Sequence, residues 1–152
     1  MRRQSPLALA LLALLAAAAP LAAQRQPQAP RPEFITGSPT LPFSQAVRVG
    51  NTIYLSGMIG DSADTVVGGG IQPETRRTME NIRSTLEKLG SSMDDVVKCS
   101  VFLADIKEWA AMNEVYVTFF PKNKPARSAL GTSGLVRNAR VEIECLAVTA
   151  GG

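Results

Sequence analysis

The chain has 152 residues, with 16 Lys and Arg against 13 Asp and Glu, two cysteines and no histidine. The missing histidine excludes the Ser-His-Asp triad, the Cys-His pair and most zinc sites, leaving arginine, carboxylates, hydroxyls, backbone groups and water for any chemistry. Without Arg2 and Arg3 the charge balance is 14 to 13, and no basic run is interleaved with aromatics, so nucleic-acid binding has no electrostatic support.

Residues 1–23 read as a secretory signal peptide: a basic start at Arg2-Arg3, an apolar run from Pro6 to Ala19, then the small-residue stretch Leu21-Ala22-Ala23. The competing reading, a membrane anchor, needs a longer uninterrupted span than Pro20 allows. The expected localisation is therefore exported, periplasmic or secreted, with no membrane attachment after cleavage. Residues 24–39 carry prolines and no apolar periodicity, which predicts a disordered tether. The folded domain is expected over residues 40–149.

Within it, Ala46 to Gly57 alternates apolar and polar residues around Gly50-Asn51, the pattern of a β-hairpin. Asp61 to Gly70 reads as a loop or weak edge strand. Pro73 to Leu89 predicts a helix, with Pro73 at its first position, Gly90 as its stop, and an apolar stripe through Thr75, Met79, Ile82, Leu86 and Leu89. Ser91 to Asp95 is a turn. Val96 to Leu103 is a strand with Val97, Cys99, Val101 and Leu103 on one face and Lys98, Ser100 and Phe102 on the other.

A second helix is predicted over Ile106 to Phe120, capped by Asp105, with Trp109, Met112, Tyr116 and Phe119 as its stripe. Arg127 to Leu130 is a short strand, and Ala139 to Val148 the last one. Cys99 and Cys145 both lie in apolar strand-like runs, which favours inert core residues over a disulfide. The element order predicts an α+β fold, two helices packed on one face of a mostly antiparallel or mixed sheet. The other face collects Tyr54, Ser56, Lys98, Ser100, Phe102, Glu142, Glu144, Leu146 and Val148, a half-apolar surface suited to a subunit interface.

Three residue types could do chemistry. Arg127 enters a strand from a loop, where a rigid guanidinium can hold a carboxylate in two parallel hydrogen bonds; a surface arginine or structural ion pair is the alternative. Glu142 and Glu144 share one strand face, either solvated or turned towards Arg127 if the last strand pairs with the Arg127 segment. Asn113 flanks the stripe of the second helix as a boundary polar residue. No cofactor motif or metal cluster appears.

The pieces Pro42-Phe-Ser-Gln-Ala46, Leu55-Ser-Gly57, Glu80-Asn-Ile82, Asp95-Val-Val-Lys98, Asn113-Glu-Val-Tyr116, Pro125-Ala-Arg-Ser128 and Val141-Glu-Ile-Glu144 stand in an order and spacing that resemble the Rid (RidA/YjgF) family of reactive-intermediate imine deaminases. The resemblance implies a chorismate-mutase-like fold and a homotrimer with clefts between subunits. It implies hydrolysis of small enamines and imines, of the 2-aminoacrylate/2-iminopropionate type, to 2-keto acids and ammonia. In that reading Arg127 grips the substrate carboxylate and Glu142 holds the attacking water. Gly57, Asn113 and Ala129 line the cleft, with Phe43 where the family has tyrosine, and neither cofactor nor metal takes part. The rival reading is a non-catalytic member that binds keto acids in the same cleft.

Overall fold

The computed structural model describes residues 28–150. The signal-peptide reading of residues 1–23 therefore lies outside the described residues. The tether reading needs correction. Pro32–Ile35 is a strand, β1, paired antiparallel with β2 (Ala46–Val49), and the Gln45 amide donates to the Ile35 carbonyl at 2.8 Å. Proline is tolerated at the first position of an edge strand, so Pro32 does not block the ladder that Glu33, Phe34 and Ile35 complete.

The predicted hairpin forms between β2 and β3 (Thr52–Leu55), with Gly50 at φ 60 in its turn. β4 (Met58–Ile59) then rejoins the sheet, and β5 (Asp61–Ser62) and β6 (Thr65–Val66) make a separate small ribbon. Helix α1 spans Ile71–Lys88, starting two residues before Pro73. A proline in the first turn removes no helical hydrogen bond, because those amides have no partner inside the helix. At the other end Gly90 takes φ 70, and the amides of Gly90 and Ser91 donate to the carbonyls of Glu87 and Leu86 at 3.0 and 2.9 Å. This closure satisfies carbonyls that the helix leaves open.

β7 (Val96–Leu103), α2 (Trp109–Tyr116), β8 (Ala126–Gly131) and β9 (Val141–Val148) follow. Asp105 accepts from the Lys107 amide at 2.9 Å, as expected of a cap, but the predicted second helix is an α-helix only over its middle, with 3-10 turns on both sides. The large sheet runs β1-β2-β3-β9-β7-β8, with β4 also on β9. Among the described strands only β7 and β8 are parallel, joined through α2 as a parallel pair requires. The α+β reading with a mixed sheet and two helices holds.

Both helices cover one sheet face. Met79, Ile82 and Leu86 of α1 and Met112 of α2 pack on Ile53, Val101, Val141 and Ile143. Fully burying such side chains is worth about 1.5–3 kcal/mol each. A bulge between Val96 and Lys98 corrects the reading of β7: Val96, not Val97, joins Cys99, Val101 and Leu103 inside, and Val97 is exposed. Cys99 and Cys145 are register partners on β7 and β9 and form a disulfide, overturning the reading as unpaired core residues. Both cysteines are buried in strands, as their surroundings imply; the pairing follows from the cross-strand register, which brings their Cα atoms to 4.1 Å and leaves no mark in either segment alone.

Candidate active site

Arg127 sits on β8 opposite Cys99, which in turn sits opposite Cys145. These three residues share the helix side of the sheet, since register partners point the same way. Arg127 is thereby aimed at α2. Its Nη1 donates to Asn113 Oδ1 at 2.6 Å, and its guanidinium lies 4.7 Å from the Tyr116 ring centre and 5.8 Å from that of Trp109. Trp109, Asn113 and Tyr116 are four and three residues apart, so one stripe of α2 supplies all three contacts. Among the described residues, Nε and Nη2 of Arg127 make no hydrogen bond and form no ion pair. An open fork of this kind suits a carboxylate taken through two parallel bonds.

Beside it lies a cavity of about 530 Å³, lined among others by Arg127, Asn113, Tyr116, Phe120 and Pro125. The Tyr116 hydroxyl is buried without a hydrogen-bond partner. Burial pushes its pKa up to about 12, with the Arg127 charge pulling the other way, so the phenol is neutral beneath the cation. Ala129 follows on the same face of β8, opposite Val101.

Glu142 stands elsewhere. It pairs with Phe102 on β7 and Ile59 on β4, and alternation along β9 places it on the open sheet face, away from the helices. The expectation that the last strand pairs with the Arg127 segment is therefore corrected: β7 lies between β8 and β9, and within one chain Arg127 and Glu142 face opposite sides of the sheet. The physical reason is the β7–α2–β8 crossover, which sets β8 outside β7 and leaves the other side of β7 for β9.

Gly57 does meet Glu142. Tyr54 pairs with Leu146 and Met58 with Ile143, so the first strand segment spends one residue more than β9 over this stretch. The bulge brings Gly57 against Glu142, where an added Cβ would overlap the carboxylate Oε1. Bulges re-aim chains in this way beside active sites. Phe43, half-exposed, precedes Ser44, whose carbonyl accepts the Ser56 hydroxyl at 2.7 Å; the loop bearing Phe43 is thus tied down beside Gly57.

The site residues fall into two groups: Arg127, Asn113 and Ala129 by α2, and Glu142 and Gly57, with the Phe43 loop, at the open face. Sequence reasoning missed Trp109 and Tyr116 as neighbours of Arg127. The signal was present, because Trp109, Asn113 and Tyr116 lie on one helical line. Reading that line as core concealed it: Tyr116 is buried, but Trp109 is 43% exposed.

The family model described as Endoribonuclease L-PSP matches residues 36–149. The chain belongs to this family, the Rid/YjgF family. A Rid relative from Dermatophagoides farinae, named 2-iminobutanoate/2-iminopropanoate deaminase, is 44% identical over 112 residues, covering 72% of this chain and 88% of its own. Among solved Rid structures, a Yersinia pestis protein of the conserved Rid family is 31% identical with a TM-score of 0.73, covering 78% of this chain and 100% of its own. Escherichia coli TdcF, solved with bound serine, is 30% identical with a TM-score of 0.69, covering 76% of this chain and 94% of its own.

Proposed function

We propose that this Rid protein is an exported, homotrimeric imine hydrolase. It converts small enamines and imines of the 2-aminoacrylate/2-iminopropionate type to 2-keto acids and ammonia. The observation that carries the reading is the Arg127 guanidinium, held on one edge by Asn113 and open on the other. The name of the Dermatophagoides relative supports the substrate class, and the serine in the TdcF structure supports a carboxylate-bearing ligand.

The chemistry needs little beyond placement. Arg127 takes the substrate carboxylate and orients the C=N bond. An enamine first tautomerises, gaining a proton on carbon and losing one from nitrogen. Water adds to the imine carbon while Glu142 accepts its proton, giving a carbinolamine. The proton passes to nitrogen, the C–N bond breaks, and the hydroxyl becomes the ketone as ammonia leaves. One imine and one water yield one keto acid and one ammonia.

Arg127 and Glu142 can serve one substrate only if two copies contribute, because a single chain turns them to opposite sheet faces. The open face favours assembly. Phe34 on β1 is 69% exposed, and Val47, Tyr54 and Leu146 continue its row across the sheet by register. An apolar row of this kind is expected to be covered. Export is supported by the basic, apolar, small-residue order of residues 1–23 and by the Cys99–Cys145 disulfide, since such bonds persist in oxidising compartments. The mature chain then begins near Gln24, which the intact mass of the exported protein would verify.

The deciding experiment incubates the mature protein with enzymatically generated 2-iminopropanoate and follows keto-acid release. Release well above the buffer rate is expected. Pyruvate binding through Arg127 without any acceleration would instead identify the non-catalytic binding member.

A further inference from the structure

We infer that Trp109 is a positioning residue for Arg127, fixing the plane of the guanidinium so that its open edge meets a carboxylate. This rests on the reading of Arg127 as the carboxylate anchor. Trp109 is the chain's single tryptophan and opens α2. A core role would bury it, yet it is 43% exposed while Met112, one turn on, is fully buried. Its ring centre lies 5.8 Å from the Arg127 guanidinium carbon, within cation–π range, and Tyr116 approaches the same group at 4.7 Å.

The geometry assigns each contact a separate constraint. Asn113 accepts from Nη1 and fixes one edge of the fork. Tyr116, buried in the core with its ring centre 5.0 Å from that of Phe120, supplies a rigid floor. Those two contacts still permit rotation of the guanidinium about the bond to Asn113. An aromatic face from Trp109 opposes that rotation. Arginine loses most of its value at a carboxylate site when its planar fork is free to turn, because both bonds need one orientation.

The test uses the intact mature oligomer. Trp109→Leu keeps an apolar side chain but removes the π face, and Trp109→Phe restores a face without the indole. The expected result for Trp109→Leu is a rise of roughly threefold to tenfold in the pyruvate Kd by calorimetry and in KM for 2-iminopropanoate. Trp109→Phe should recover most of the loss, and both variants should melt within a few degrees of wild type. A residue with only a structural role would change Tm without moving Kd. In wild type, pyruvate should alter the tryptophan emission, a measurement that needs no variant. If Trp109→Leu binds pyruvate normally while Arg127→Lys does not, the positioning role is wrong and the anchor stands. If Arg127→Lys also binds normally, the anchor reading fails and takes this inference with it. Wild-type emission unmoved by saturating pyruvate would equally overturn the role.

Discussion

Arg127 and Glu142 are held in contrasting ways. Arg127 is fixed by its own chain: a hydrogen bond to Asn113, two aromatic rings, and a β8 register locked to β7. Glu142 has no side-chain hydrogen bond or ion pair among the described residues, and the one feature built around its carboxylate is the space left by Gly57. The half proposed to bind substrate is preorganised within the monomer, where it would carry little entropy cost into a complex. The other half has room but no orienting partner, which fits a carboxylate that a second copy and a bound water complete.

The largest effect should come from breaking the loosely held half. Glu142→Gln keeps shape and a hydrogen bond to water but loses the proton acceptor. Its kcat should fall by about 10²–10⁴ in the imine assay, while pyruvate binding by calorimetry stays near wild type. Arg127→Lys breaks the other half. It replaces a planar fork by a point charge and should cost on the order of 2–4 kcal/mol in kcat/KM, with pyruvate binding lost in parallel. Circular dichroism of both variants should match wild type.

The frame beneath both halves gives the next effect. Cys99 stands opposite Arg127 and is bonded to Cys145, closing a loop across 46 positions. Removing both sulfurs in Cys99→Ala/Cys145→Ala should lower stability by about 2–4 kcal/mol in denaturant unfolding. A variant as stable as wild type would show that the sheet needs no staple there.

Smaller still is the effect of Glu74, 2% exposed, whose carboxylate accepts the amides of Arg140 at 2.6 Å and Val141 at 3.2 Å and so steers the chain into β9. Burial holds its carboxyl above the usual value of 4.5, against the pull of those two amides. A raised folded value means this group's contribution to stability is fullest below the unfolded value and fades as pH rises through the folded one. Glu74→Gln keeps an acceptor for both amides and sheds the buried charge. It should be as stable as wild type or more so at about pH 7, with any advantage gone by about pH 4 in thermal melts.

Much of this was legible in the sequence. The apolar stripe of α1, its glycine stop, the hairpin around Gly50 and the strand alternation of β9 are local patterns, and the structure keeps them. The open-face residues from Tyr54 to Val148 also lie where alternation put them. What local pattern could not supply was pairing. β1 was hidden among prolines because a short edge strand leaves almost no periodic trace. The Cys99–Cys145 bond and the separation of Arg127 from Glu142 both depend on β7 lying between β8 and β9, a fact of topology rather than composition. Trp109 was misread because a helical stripe looks alike whether it faces a core or a guanidinium.

The central claim is that the active site joins Arg127 of one copy to Glu142 of another, and subunit mixing tests it most directly. Arg127→Lys and Glu142→Gln proteins, each strongly impaired alone, are unfolded together and refolded as mixed copies of the proposed trimer. Every mixed trimer then contains one interface that pairs an intact Arg127 with an intact Glu142. Random mixing of equal amounts should restore about a quarter of wild-type activity. If the mixed sample, shown by mass spectrometry to contain both subunits in one trimer, stays as inactive as either variant, the site does not lie between copies and the account is wrong.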